Sequence, residues 1–83
     1  MFYYTYMLKS ISPGYKKTYV GYTNNLKLRL EKHNSNKGAK ATKGYKWILI
    51  YKKKFKTKNL AMSFEYKLKK NQKLRKEILE KSS

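Results

Sequence analysis

Cysteine is absent from the 83-residue sequence, which excludes disulfides, zinc-thiolate centres and thiol nucleophiles in one step. Aspartate is absent as well, and the only acids are Glu31, Glu65, Glu77 and Glu80. The clustered carboxylates of two-metal hydrolases therefore have no source short of distant tail positions. No apolar run approaches the roughly 20 residues of a membrane span, and the N-terminus lacks the basic-then-apolar order of a signal peptide. The expectation is an intracellular protein with no membrane role, in cytoplasm or nucleoid, or in a nucleus if its source is eukaryotic or viral. No repeat or linker interrupts the chain, and a second core cannot be built from this length, so residues 1–83 read as a single domain.

What is present is positive charge. Lys and Arg number 22 against four acids, a formal net charge of +18, and such a chain repels itself unless its working partner is a polyanion. Nucleic acid is the expected partner. Ribosomal proteins share this composition, so charge alone leaves a non-catalytic nucleic-acid-binding module open beside an enzyme. A disordered basic tail is excluded, because 40% of the residues are apolar and nine are tyrosine, enough large side chains to form a core.

Residues 2–9 are aromatic and β-prone, and Ser12, Pro13, Gly14 and Tyr15 have the composition of a type II turn, predicting a hairpin with a second strand over residues 17–22. Thr23 is then placed to cap a helix carrying Leu26, Leu30 and His33 at helical spacing and ending near Asn34. Residues 34–44 read as a loop with one helical turn near Ala39 to Thr42. The apolar run from Trp47 to Tyr51 suits a central strand covered on one or both faces. Thr57 offers a cap for a helix whose stripe is Leu60, Ala61, Phe64 and Leu68. Asn71 and Gln72 mark a break before a last helix with Leu74 and Ile78 four apart.

Within this frame the acids are the informative residues. A catalytic magnesium ion tolerates a single protein carboxylate, because it keeps most of its waters. Glu65, beside the apolar stripe of its helix, is the candidate; a solvated i,i+4 pair with Lys69 is the competing reading. Arg29 and His33 fall on the same side of the first helix as Leu26 and Leu30 while positions 27, 31 and 32 are charged. They are either inward-facing functional groups or a structural histidine beside an arginine that snorkels to solvent. Alternation puts Tyr4 and Tyr6 on one strand face and Tyr19 and Gly21 on another, and a glycine there leaves room for a phosphate to approach the backbone near a tyrosine. The tyrosines suit sheet packing and base stacking equally.

Taken in order, Tyr4-Thr5-Tyr6, Tyr19-Val20-Gly21, the helix from Leu26 to Arg29, His33 and Glu65 resemble the signature of the GIY-YIG nuclease superfamily. The run His33-Asn34, Lys37-Gly38-Ala39-Lys40 and Thr42-Lys43-Gly44 is similar to the small single-domain subfamily that includes the catalytic domain of a structure-specific resolvase. The resemblance implies an α/β (α+β) fold, a three-stranded antiparallel sheet flanked by helices, and an endonuclease acting on DNA with one divalent ion, Mg²⁺ or Mn²⁺. It implies that Tyr6 orients the nucleophilic water, Tyr19 takes its proton, Arg29 neutralises the scissile phosphate, His33 assists and Glu65 holds the metal. Tyr22 occupies a position that is basic or aromatic in the superfamily; it is expected on the nucleic acid together with Lys37, Lys40, Lys43 and Lys69. Two residues depart from the signature: Tyr4 replaces its first Gly and Val20 its Ile. Free tyrosine, with a pKa of about 10, is a weak base at neutral pH, so His33 is the competing proton acceptor. A partner subunit and the oligomeric state stay open on sequence alone.

Overall fold

The computed structural model describes residues 1–12 and 17–82. The turn expected around Pro13 and Gly14 lies outside the described residues. The elements run β1 (Tyr3–Ser12), β2 (Thr18–Thr23), α1 (Leu26–Asn34), a 3₁₀ turn (Lys40–Thr42), β3 (Lys46–Phe55), α2 (Lys58–Lys70) and α3 (Gln72–Lys81). The three strands form one antiparallel sheet in the order β2-β1-β3, the architecture that the resemblance implies.

The central strand is β1, not β3. Both neighbours pair with β1, and the consecutive residues Thr5, Tyr6, Met7 and Leu8 are all buried, which requires cover on both faces because successive side chains point to opposite sides. One face sends Tyr6 and Leu8 to join Trp47 of β3 beneath Leu26 and Leu30 of α1. The other sends Met7 to join Val20, Leu68 of α2 and Ile78 of α3, with Phe64 and Leu74 packed alongside. The apolar run of β3 marked cover on its faces correctly, but cover does not require a central position. Trp47 and Leu49 go to the first cluster and Ile50 and Tyr51 to the second. A register shift after Met7, where Met7 faces Tyr51 but Leu8 faces Leu49, is the bulge that allows Ile50 and Tyr51 to serve the same cluster.

Local capping chemistry sets the helix boundaries. Asn25, not Thr23, caps α1: its side chain accepts from Leu28 N–H at 3.1 Å, while Thr23 Oγ1 accepts from Asn25 N–H at 3.1 Å and tightens the turn. Thr57 caps α2 by accepting from Leu60 N–H at 3.2 Å. Asn71 ends α2 and caps α3, accepting from Leu74 N–H at 3.0 Å. On α2, Ala61 and Leu68 are fully buried and Phe64 is partly so, but Leu60 is 52% exposed. It lies in the first turn, beyond the sheet that the stripe covers.

Candidate active site

Two strands and one helix converge on the α1 face of the sheet. Tyr6 of β1 lies opposite Gly21 of β2, and Tyr19 stands two residues away. The two phenol rings are 6.3 Å apart. Gly21 leaves its space to Tyr6, not to an approaching phosphate: a Cβ at that position would stand 2.6 Å from Tyr6 Oη and 3.0 Å from Tyr19 Cε2. From α1, His33 comes between them, its ring 4.9 Å from Tyr19 and 5.9 Å from Tyr6. Arg29, one turn earlier, is half-buried on the same side.

The hydrogen bonds of this cluster have only one consistent set of proton positions. Thr42 Oγ1 donates to the Ala39 carbonyl at 2.8 Å, so towards His33 Nδ1, at 2.9 Å, it accepts. The imidazole proton is thereby assigned to Nδ1, and Nε2 is left to accept from the Tyr6 hydroxyl at 2.8 Å. Tyr6 Oη in turn accepts from Arg29 Nε–H at 3.3 Å. A directed chain results, from Arg29 through Tyr6, His33 and Thr42 to a backbone carbonyl.

Charge states agree with that direction. Burial, then the nearby Arg29 cation, lower the His33 pKa to about 4, keeping the ring neutral at pH 7 as the chain requires. Burial raises Tyr6 to about 12, against the opposing hydrogen bond and charge of Arg29, so this phenol keeps its proton. Arg29 is pushed further up, first by its hydrogen bond to Tyr6 and also by one to Tyr19. It is a fixed cation hydrogen-bonded to Tyr6.

Glu65 approaches from α2. Its carboxylate lies near enough to Tyr6 to oppose ionisation of the phenol, and it forms an i,i+4 ion pair with Lys69 at 3.8 Å. The ion pair with Lys69 is thus present, and it leaves Glu65 close to the Tyr6 phenol. Among the described residues no group of three or more His, Cys, Asp or Glu side chains could cage a metal. A single carboxylate fits only a hard cation that retains most of its waters, which Mg²⁺ and Mn²⁺ do.

The residues expected on nucleic acid fall in two clefts and one exposed segment. Tyr22 lines an open cleft of about 350 Å³ together with Asn24, Arg29 and Lys32. Lys69 lines a second, of about 330 Å³, with Thr18, Tyr19 and Arg75. Lys37, Lys40 and Lys43 are exposed on the segment between α1 and β3 and line neither cleft.

Several supporting residues escaped the sequence reading. Thr42, fully buried, fixes the His33 tautomer, and its carbonyl accepts from Trp47 Nε1–H at 3.0 Å. Gly38 is required because a Cβ there would stand 2.5 Å from His33 Nδ1. Asn34 clamps the Trp47 backbone, donating to its carbonyl at 3.1 Å and accepting from its amide at 2.6 Å. Thr5, also fully buried, donates to the Ala61 carbonyl of α2 at 2.7 Å. Their signal in the sequence was membership of the motifs that carry the resemblance, with no indication of which hydroxyl turns inward.

A family model for the GIY-YIG catalytic domain matches residues 2–77. The chain belongs to the GIY-YIG family, a family of nucleases. It is 43% identical to a UPF0213 protein of Oceanobacillus iheyensis over 80% of this chain and 74% of that protein. It is 46% identical to the UPF0213 protein YazA of Bacillus subtilis over 72% of this chain and 62% of YazA. An uncharacterized protein of Acanthamoeba polyphaga mimivirus is 45% identical over 72% of this chain. The match spans only 38% of that viral protein's length. A solution NMR structure of a UPF0213 protein from Bacillus halodurans matches 95% of this chain and 82% of that one, at 36% identity and a TM-score of 0.47. Among the described residues of this GIY-YIG chain, no helix is long and apolar enough to cross a membrane.

Proposed function

We propose that this GIY-YIG chain, acting as one domain, is a metal-dependent endonuclease that hydrolyses phosphodiester bonds of single-stranded, flapped or branched DNA, in repair, recombination or mobile-element processing. The observation that carries this reading is the Arg29 guanidinium hydrogen-bonded to Tyr6, beside Tyr19 and a buried neutral histidine, with Glu65 near enough to be felt at Tyr6. A passive polyanion binder needs exposed lysines, not a buried directed network.

In the mechanism, water attacks phosphorus, a P–O bond forms to the water oxygen, and the P–O bond to the leaving strand breaks. Tyr6 donates a hydrogen bond to His33 and accepts one from Arg29, leaving one lone pair with which to orient the water. Tyr19 takes a proton from that water as its own hydroxyl proton passes to solvent, and the leaving oxygen is protonated from solvent. His33 is a poor proton store, since burial holds its pKa to about 4; its work is to fix the Tyr6 hydroxyl. Arg29, charged throughout, meets the negative charge gathering on the phosphate, for which a planar guanidinium is well shaped. Glu65 would hold Mg²⁺ or Mn²⁺, which when bound neutralises charge on the phosphate.

Glu65→Ala and Arg29→Ala each abolish metal-dependent cleavage of end-labelled branched DNA on this account, while Glu65→Ala leaves DNA affinity within about two-fold, because a carboxylate adds nothing to phosphate binding. Cleavage by Glu65→Ala at the rate of the unaltered protein overturns the assignment.

A further inference from the structure

β2 is an edge strand, and both clefts open along it. One is lined by Thr18, Tyr19, Lys69 and Arg75, the other by Tyr22, Asn24, Arg29 and Lys32. They adjoin the reacting groups, since Tyr19 belongs to one and Arg29 to the other and both flank Tyr6, whose ring lies 6.3 Å from that of Tyr19 and whose hydroxyl accepts from Arg29 Nε–H at 3.3 Å. No acidic residue lines either cleft. The result is a basic trough that begins on one side of the candidate site and ends on the other.

We propose that the strand to be cut lies in this trough as an unpaired segment along the outer edge of β2. Its scissile phosphate sits at the Tyr19–Arg29 junction, one neighbouring phosphate lies against Lys69 and Arg75, and the other lies against Lys32. The assignment rests on the hydrolase reading above and adds to it the form of the substrate. From Thr18 to Asn24 the edge runs about 20 Å at about 3.3 Å per residue, long enough for three consecutive phosphates.

One feature selects an unpaired strand over a duplex. In the cleft beside α1 an aromatic ring, Tyr22, shares the lining with Arg29 and Lys32, the pairing of stacking platform and backbone cation by which single strands are held. The opposite edge of the sheet is also rich in lysine, but two of its cations lie over aromatic rings. Lys53 lies over the Phe64 ring at 4.8 Å and Lys54 over Phe2 at 3.9 Å.

Fluorescence anisotropy with a short fluorescein-labelled single-stranded oligonucleotide, and with a hairpin duplex of the same sequence, tests the path across a salt series. Lys32→Ala and Lys69→Ala are each expected to reduce the slope of log affinity against log salt by about 0.7 on the single strand. Lys46→Ala and Lys54→Ala, on the β3 edge, are expected to change it less. Tyr22→Ala weakens the single strand by about five-fold or more through lost stacking and leaves the duplex unchanged; Tyr22→Phe retains single-strand affinity, separating stacking from misfolding. Unchanged slopes for Lys32→Ala and Lys69→Ala, larger losses from the β3 variants, or equal losses of single strand and duplex on Tyr22→Ala overturn the path. Cleavage by the unaltered protein is scored separately. Cleavage with unchanged slopes overturns the path alone, whereas no cleavage on any substrate overturns the hydrolase reading and with it the position of the scissile phosphate.

Discussion

His33 is the residue whose ionisation would dismantle the candidate site, because a proton on Nε2 removes the acceptor that holds the Tyr6 hydroxyl. Its folded pKa of about 4 lies below the ordinary value of 6.5, so between these limits the unfolded chain binds more protons than the folded one. Its contribution to stability is therefore fully present above about pH 6.5 and is lost as pH falls through about 4. Urea denaturation at a series of pH values should show the midpoint dropping across that window in the unaltered protein and dropping less in His33→Gln. A second residue-scale prediction concerns Thr42. Thr42→Val removes the acceptor for a buried N–H and should cost about 1 to 3 kcal/mol, with cleavage impaired more than DNA affinity. Thr42→Ser, which keeps the hydroxyl, should restore both. Equal cleavage by Thr42→Val and the unaltered protein would show that the His33 tautomer is irrelevant to turnover.

At the scale of elements, the site depends on the seating of α2 against β1. The Thr5 hydroxyl reaches the Ala61 carbonyl at 2.7 Å, which stands one helical turn before Glu65, and Thr5 is the immediate neighbour of Tyr6. One buried bond thus sets the position of the acidic residue relative to the phenols. Thr5→Val, nearly isosteric, should cost about 1 kcal/mol of stability and raise the Mg²⁺ concentration needed for half-maximal cleavage, while Thr5→Ser should return it to the original value. An unchanged metal requirement in Thr5→Val would assign the bond to stability alone. These elements were legible to different degrees in the sequence. The strands and helices could be read because apolar periodicity and capping residues such as Thr57 and Asn71 are local signals. The convergence of Tyr6, Tyr19, Arg29, His33 and Glu65 was accessible only through the resemblance, since residue order carries no distances. Thr5, Gly38 and Thr42 stand within the motifs of the resemblance, but their roles were not legible, because those lie in contacts across the fold. The position of β3 was misread for a related reason: the apolar run of an edge strand covered by helices matches that of a central strand.

For the whole molecule, the question is how a chain of net charge +18 stays compact. Its radius of gyration of 12.2 Å matches the value of about 12 Å expected of a folded domain this size. Two apolar clusters, one on each side of β1, hold it together, while most of the lysines stand at the surface, several with their ammonium groups over aromatic rings. Such a surface suits polyanions whether or not the buried network turns over, so affinity for DNA would not separate a nuclease from a passive binder. The separating measurement is product formation. End-labelled single-stranded, flapped and branched DNA is incubated with the unaltered protein in Mg²⁺, in Mn²⁺ and in excess chelator, and the products are resolved alongside a binding titration. The account predicts shortened strands from at least one of these substrates only when metal is present, with binding retained in chelator. Binding without a cut product in either metal would contradict it and leave a basic nucleic-acid-binding module.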